Sequence, residues 1–304
     1  MLFAALGTMC EVQYVAPAGA PRCREFEHAV SRWVLAFEAR YSRFRPSSLV
    51  SQINDAAGRD WIEVDLETEQ LFALCDAIYQ MTDGVLDPTI LPLLRLWNWK
   101  AEHPVVPRPE EIAKARALVG WTMVQRRPGG VFLPQLGMAL DFGGFGKEYA
   151  VDIVTQIAVD HGLTNVLVDF GHDLRTLGHP PDRPAWHIGL EDPRRPGQSA
   201  GSLAIQGNRG IASSGDYLRC FHANGRRYGH IIDPRTGVPV DNGCLQATIV
   251  ADTCLQAGVL STSAFVLGVP RGIDHIQSYP SADGLIVTNE VRAQTRNFHR
   301  YVAG

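Results

Sequence analysis

The spacing of apolar residues along the chain predicts several helices. Between residues 22 and 40, Phe26, Val30 and Phe37 recur with the helical period and share one face. A further helix begins near Pro109, because the fixed φ of proline suits the first helical turn. The same helical spacing recurs in three other segments, residues 65–81, 149–158 and 255–267.

Short apolar runs bounded by glycine or polar turns predict β-strands. They lie at residues 11–15, 166–170, 187–190, 201–205, 210–212, 245–250 and 284–288. Two further apolar runs, residues 131–133 and 138–140, predict strand structure that leads into Asp141. The last third of the chain is therefore rich in strands and closed by one helix. We expect a mixed α+β fold, formed by residues 1–304 as one large domain with two lobes.

Composition narrows the class of protein. The 304 residues carry a formal net charge of -4, which argues against a protein built mainly to bind nucleic acid. No apolar run approaches the roughly 20 residues that span a bilayer. The six cysteines form no C-x-x-C pair, so we expect reduced thiols. The N-terminus lacks the basic start of a signal peptide, which favours a cytoplasmic location, or a periplasmic one if a leader was removed.

The segment Asp141–Asp152 carries the strongest chemical signal. Its sequence, DFGGFGKEYAVD, places a carboxylate before three glycines and Lys147 at the start of a predicted helix. Backbone N–H groups at such a helix start attract anions, and Lys147 adds a positive charge. The segment matches neither a Walker A loop nor a G-x-G-x-x-G fingerprint. It therefore predicts either a phosphate or diphosphate site or an ordinary turn with a solvated lysine.

Two earlier clusters allow a functional and a structural interpretation. Residues 40–49 combine arginines, Phe44 and serines, and Asn54 follows. This segment is either a binding loop or a loop that caps the next helix through Ser47 or Ser48. Residues 83–89 form a turn that presents Asp87, or a simple β-turn.

Two later clusters lie in the strand-rich part of the chain. We expect His230 on the strand that enters the hairpin turn Asp233–Gly237. A polar loop lies on its other side, a setting that favours catalysis and a structural role equally. Residues 259–268 form a helix of small residues with several hydroxyl groups. Those hydroxyls either face a ligand or bond back to their own backbone.

Together these motifs resemble one family, the ApbE-type FAD:protein FMN transferases. The resemblance runs from about Gly7 to Gly268 and is carried by the number and order of the motifs. They are Gly7-Thr8, the Ser42–Ser48 loop with Asn54, the Asp83–Thr89 turn, the Asp141–Asp152 segment, Ser213–Tyr217, His230–Gly237 and Thr262.

The resemblance implies an activity and a set of ligands. Enzymes of this family bind FAD and, with Mg²⁺, transfer its FMN half to a threonine or serine hydroxyl of an acceptor flavoprotein, releasing AMP. In this chain, the implied pocket residues are Leu6, Phe44, Val85, Leu86 and Asp87, with Asp141 and Lys147 on polar groups of FAD and with His230 and Ile231 beside the flavin or diphosphate. His230 is the implied catalytic residue. The implied Mg²⁺ ligands are the carbonyl oxygen of Gly144, a carboxylate on the last long helix, and Thr262 four residues after it.

The sequence departs from the family at three positions. Gly258 stands where the family has the metal-binding aspartate, so the remaining implied protein ligands are neutral. His172 stands where a second glycine is usual, and Leu6 replaces a methionine. The loss of the aspartate leaves two hypotheses. The chain is an FMN transferase, or it is an FAD-binding relative without transfer activity that acts as a flavin carrier, sensor or partner protein.

Overall fold

A computed structural model of the chain describes residues 1–16 and 21–303. Contacts group the chain into two units. Unit 1 comprises residues 1–38, 145–215 and 243–304, and unit 2 comprises residues 39–144 and 216–242. The prediction of a mixed α+β fold is confirmed, since both helices and antiparallel sheets are present.

Eight α-helices form within the described ranges, and most sequence-predicted helices lie within one or two residues of their expected bounds. The helices are α1 (Pro21–Tyr41), α2 (Leu49–Asp55), α3 (Leu66–Met81), α4 (Leu91–Leu96), α5 (Pro109–Arg116), α6 (Gly146–Asp160), α7 (Cys254–Leu267) and α8 (Arg271–Gln277). Polar residues explain several helix starts. Ser48 and Asp65 accept hydrogen bonds from the backbone N–H groups of Ser51 and Thr68, which caps α2 and α3. The structural interpretation of Ser48 is therefore confirmed.

Unit 1 is built on one antiparallel sheet of eight strands. In spatial order these are β1 (Leu2–Ala5), β2 (Thr8–Tyr14), β6 (Val166–Phe170), β7 (Leu174–Leu177), β10 (Arg209–Gly215), β15 (Cys244–Ala251), β16 (Asp283–Thr288) and β17 (Arg292–Gln294). The hairpin of β8 (Trp186–Glu191) and β9 (Ser199–Ile205) packs its apolar side chains with those of the sheet in one core cluster.

Helix α7 is the central helix of unit 1. It packs on β10 and β15 and also contacts α6 and α8. Most of its residues are buried, which explains why its sequence is made of small and apolar residues on all sides. The residues that face α6 therefore lie inside the unit, and any polar group there needs a partner.

Unit 2 holds helices α2 to α5 and three small antiparallel sheets. One sheet has the order β3 (Ile62–Glu63), β5 (Gly130–Phe132), β4 (Gln125–Arg127). The other two are the hairpins β11 (Cys220–Ala223) with β12 (Arg226–Gly229) and β13 (Ile232–Asp233) with β14 (Val238–Pro239). The second hairpin confirms the predicted turn between Asp233 and Gly237, whose N–H donates to the carbonyl of Asp233 at 2.8 Å.

The strand predicted over residues 138–140 is wrong. Only an isolated bridge between Ile90 and Ala139 forms there. The side-chain amide of Asn54 takes the place of a neighbouring strand, since it accepts from the N–H of Leu140 at 2.6 Å and donates to the carbonyl of Leu140 at 3.0 Å. A side chain from α2 thus satisfies the backbone that precedes Asp141.

Two other expectations concern the whole chain. None of the six cysteines is disulfide-bonded, as predicted, and four of them are buried. Across residues 1–16 and 21–303, no helix combines the length and the apolar character needed to cross a membrane.

Candidate functional site

Asp152 fixes how helices α6 and α7 of unit 1 align with each other. The carboxylate of Asp152, on α6, accepts hydrogen bonds from the backbone N–H groups of Cys254 and Leu255 at 2.9 Å each. It thereby satisfies donors at the first turn of α7 that have no partner within the helix. One turn earlier on α6 lies Glu148, and one turn later on α7 lies Gly258. The helices therefore run antiparallel here, and Glu148 faces Gly258.

Glu148 is a buried carboxylate with an unsatisfied oxygen. The residue is 8% exposed, and its Oε2 has no hydrogen-bond partner among the residues that the structure describes. A Cβ atom placed on Gly258 would lie 2.6 Å from the Cγ and 3.0 Å from the Oε1 of Glu148. Burial raises the pKa of Glu148 to about 8, and the negative charge of Asp173 adds to this effect.

Lys147 forms an ion pair with Asp173, so its charge is less mobile than the sequence suggested. The ammonium Nζ donates to Oδ2 of Asp173, which is 5% exposed. Burial alone would lower the pKa of Lys147, but the carboxylates of Asp173 and Glu148 outweigh burial and raise that pKa. The ammonium is therefore charged at neutral pH.

Three hydroxyl groups form a chain between β10 and α7. The Oγ of Ser214 lies 2.8 Å from Ser261 Oγ and 2.8 Å from Thr262 Oγ1. Ser261 also donates to the carbonyl of Gly258 at 3.0 Å. Of the two alternatives for this helix, Ser261 and Ser263 bond back to their own backbone, whereas Thr262 pairs with Ser214.

Two tight turns with left-handed residues close neighbouring hairpins of the large sheet. Leu6 and Gly7 connect β1 to β2 with φ values of 53° and 71°, and the N–H of Leu6 donates to Glu38 at 3.0 Å. His172 connects β6 to β7 with φ of 73°, a region that favours glycine. Its side chain is exposed, and its N–H donates to Asp169 at 2.7 Å.

In unit 2, the predicted binding loop is held against Asp141. Arg43 Nε lies 3.0 Å from Asp141 Oδ2, and the N–H of Gly143 donates to Asp141 Oδ1 at 2.9 Å. The guanidinium of Arg43 also lies over the ring of Phe44, 4.2 Å from its centre. Phe44 is 76% exposed, so an aromatic ring is presented to solvent on a loop that an ion pair and backbone hydrogen bonds hold in place.

The carboxylate of Asp87 points into unit 2 instead of being presented by its turn. Its Oδ1 accepts from the N–H and hydroxyl of Thr89 at 2.7 and 2.6 Å, and its Oδ2 accepts from the N–H of Trp121 at 3.0 Å. Burial raises the pKa of Asp87, and these hydrogen bonds oppose the shift. Val85 and Leu86 are also buried. Asp87 therefore holds this loop in shape.

His230 lies in the short connection from β12 to β13, not on a strand. Its backbone N–H donates to the carbonyl of Arg219 at 3.0 Å, and its ring lies 6.2 Å from that of Trp99. The ring atom Nδ1 is buried and has no partner in the part of the chain that the structure describes. Burial, with the charges of Arg219 and Lys100, lowers the pKa of His230 to about 4, so the imidazole is neutral at pH 7. The next residue, Ile231, is half-buried and accepts from Val240.

The predicted site residues fall into two sets. Leu6, Lys147 and Thr262 belong to unit 1, and the others belong to unit 2. Within the described ranges, no group of three or more His, Cys, Asp or Glu side chains is placed to hold a metal ion. A metal site would have to include hydroxyl, carbonyl or phosphate oxygens.

Sequence reasoning missed one residue of unit 1, Glu148. A signal for it existed: Glu148 and Asp152 are four residues apart on a predicted helix and therefore share a face. That face could not be assigned to α7 from the sequence, since the contact joins segments more than 100 residues apart.

Comparisons with known proteins agree with this architecture. The model of the ApbE family matches residues 6–286. A protein of Klebsiella pneumoniae named FAD:protein FMN transferase is 32% identical over 247 residues, which are 80% of this chain and 76% of that protein. A Vibrio cholerae protein of the same name is 29% identical over 272 residues, 88% of this chain and 81% of that protein.

A solved structure extends the similarity to the whole chain. The ApbE protein of Thermotoga maritima matches with a TM-score of 0.88 at 31% identity, and the match covers 100% of this chain and 99% of that one. Sequence and structure thus agree over both units, and the chain belongs to the ApbE family.

Proposed function

We propose that this chain is an FAD:protein FMN transferase, which moves the FMN half of FAD to a threonine or serine hydroxyl of an acceptor flavoprotein. The observation that carries the proposal is the extent of the family match, residues 6–286, together with relatives named for this reaction at 29% and 32% identity.

In this reaction the acceptor hydroxyl oxygen attacks the phosphorus on the FMN side of the diphosphate. A new P–O bond forms, the bond to the AMP phosphate breaks, and AMP leaves with the bridging oxygen. The protein mainly positions these groups and balances their charge. His230 is the proposed acceptor of the hydroxyl proton, because its imidazole is neutral at pH 7 and its Nδ1 has no partner within the described residues.

The proposed contacts of unit 2 are with the aromatic and polar parts of FAD. Phe44 offers an exposed ring that Arg43 holds in place. Asp141 is already fixed by Arg43 and Gly143, so it can accept a hydrogen bond from the ligand without reorganising. Val85, Leu86 and Ile231 are the proposed apolar contacts, and Asp87 maintains the loop that carries the first two.

The proposed contacts of unit 1 are with charged groups, the phosphates of FAD and Mg²⁺. Lys147 is charged and held by Asp173, a geometry suited to a phosphate. The Thr262 hydroxyl of this unit is a proposed Mg²⁺ ligand, and the carbonyl of Gly144, which belongs to unit 2, is the other. Both are the hard oxygen donors that Mg²⁺ prefers, and bound Mg²⁺ would neutralise phosphate charge. The unsatisfied oxygen of Glu148 in the same unit fits a cation as well.

The alternative, an FAD-binding relative without transfer, rested on the missing carboxylate at Gly258. That observation loses its force because the carboxylate of Glu148 fills the space beside Gly258. We therefore retain the transferase as the proposed function.

The test is AMP release from FAD by the purified chain, with Mg²⁺ or with EDTA, alongside a titration of FAD binding. Metal-dependent AMP release, lowered in His230→Ala, is the expected result. Tight FAD binding without AMP release, even when acceptor flavoproteins are added, would overturn the proposal in favour of a flavin-holding protein.

A further inference from the structure

One oxygen of the buried Glu148 carboxylate, Oε2, has no hydrogen-bond partner among the described residues. A buried carboxylate is normally paired or fully hydrogen-bonded, because transfer from water is costly. Asp152 pairs with Arg175 at 2.8 Å, and Asp173 pairs with Lys147. Glu148 has 8% exposure and an Oε2 without any partner in the described ranges. Among the described residues, Oε2 of Glu148 therefore has no direct partner that would balance an ionised carboxylate.

The sequence keeps space for this side chain on the facing helix. Gly258 lies in the interior of α7, where glycine is less favourable than alanine. Any Cβ at that position would lie 2.6 Å from Glu148 Cγ, closer than van der Waals contact allows. Glu148 and Gly258 thus form a matched pair, in which one helix supplies the carboxylate and the other makes room for it.

The hydroxyl chain next to this pair leaves an oxygen free. Ser261 has one hydroxyl proton, which it donates to the carbonyl of Gly258. Ser214 must then donate to Ser261, and Thr262 must donate to Ser214, if all three bonds form together. In this arrangement Thr262 donates its proton and accepts none from the other two hydroxyls. The lone pairs of its Oγ1 are therefore available to a cation. Thr262 lies one turn after Gly258, on the same side of α7.

We propose that Glu148 is the carboxylate ligand of a divalent cation such as Mg²⁺, reaching from α6 into the space that Gly258 leaves on α7. Thr262 is the neighbouring hydroxyl ligand. This inference rests on the proposed function for the role of the metal, but the binding of the cation is measurable without transfer. It also explains how the chain supplies an anionic ligand without an aspartate at position 258.

The direct test is Mn²⁺ binding, followed by the electron paramagnetic resonance of free Mn²⁺, with the full chain and ADP as an unreactive diphosphate. Glu148→Gln keeps the shape but cannot ionise to bind the cation, so we expect it to weaken Mn²⁺ binding at least about tenfold. Asp160→Asn, at the exposed far end of α6, is the matched control and should bind like wild type. Thermal unfolding of each variant checks that it is folded.

A swap of the two positions makes the test specific. In the double variant Glu148→Ala/Gly258→Asp, α7 supplies the carboxylate and α6 leaves the space for it. We therefore expect most of the Mn²⁺ affinity to return. Gly258→Asp alone places two side chains in one space, so it should not bind Mn²⁺ more tightly than wild type. Wild-type affinity in a folded Glu148→Gln variant, or no recovery in a folded swap variant, would overturn the proposal.

The same samples separate this proposal from the proposed function. Mn²⁺ binding that depends on Glu148, without AMP release from FAD, would support the ligand and reject the transferase. AMP release that is equal in wild type and Glu148→Gln, with equal Mn²⁺ affinity, would support the transferase and reject the ligand.

Discussion

Two buried carboxylates, Glu148 in unit 1 and Asp87 in unit 2, are nearly equally shielded from solvent, at 8% and 7% exposure. They differ in their partners. Both oxygens of Asp87 accept hydrogen bonds, from Thr89 and Trp121, whereas Oε2 of Glu148 accepts none from the described residues. A carboxylate that the protein satisfies stabilises the fold. One that the protein leaves unsatisfied is available to an external cation.

The largest effect should come from making a second carboxylate unsatisfied. Lys147→Ala removes the partner of Asp173 and leaves that buried charge unpaired, which should lower the free energy of unfolding by about 3 to 5 kcal/mol. It should also weaken FAD binding. Urea unfolding and an FAD titration measure the two effects, and Lys114→Ala on the exposed face of α5 is the control. Wild-type FAD affinity in a folded Lys147→Ala variant would contradict the proposed role of Lys147.

A smaller loss is expected when the satisfied carboxylate is altered. Asp87→Asn turns an acceptor into an amide group that cannot accept from both Thr89 and Trp121, so at least one buried donor loses its partner. The free energy of unfolding should fall by about 2 kcal/mol. Asp83→Asn, an exposed change in the same turn, is the matched control. If the two variants unfold alike in urea, Asp87 does not hold the loop.

Glu148→Gln should not lower stability when metal is absent. The pKa of Glu148 is about 8 in the folded chain and near 4.5 when unfolded, so the folded state binds more protons between these values. The contribution of Glu148 is therefore present at acid pH and is lost as the pH rises through 8. In EDTA at pH 8, urea unfolding should show Glu148→Gln at least as stable as wild type. A less stable variant would reveal a protein partner for Glu148.

The smallest expected effect concerns another buried atom that has no partner among the described residues, Nδ1 of His230. Because the pKa of His230 is lowered to about 4, its imidazole stays neutral as the pH falls through 6.5. The rate of AMP release should show no inflection that belongs to His230 between about pH 5.5 and 7.5. An inflection near pH 6.5 that disappears in His230→Gln would mean that the imidazole is solvated.

Local patterns in the sequence predicted the elements well. The helical period placed α1, α3, α6 and α7, and Pro109 marked the start of α5, because each signal depends on neighbouring residues alone. The failure at residues 138–140 has a different cause. An apolar run resembles a strand, but whether its backbone meets a strand or a side chain such as Asn54 depends on a distant segment.

The same limit applies to the candidate site. The order of motifs identified the family and the residues to inspect. The sequence did not show which side chains are partners. The pairing of Lys147 with Asp173 and the inward direction of the Asp87 side chain depend on packing. The sequence shows that the metal-binding aspartate is absent at position 258. It does not show that the side chain of Glu148 occupies the space beside Gly258.

The most direct measurement is anomalous scattering from Mn²⁺ in crystals of the wild-type chain grown with Mn²⁺ and ADP. We expect a peak at bonding distance, about 2.1 Å, from a carboxylate oxygen of Glu148. A well-occupied peak elsewhere, with Glu148 bonded only to protein or water, would contradict the claim that this carboxylate is left unsatisfied in order to bind a cation.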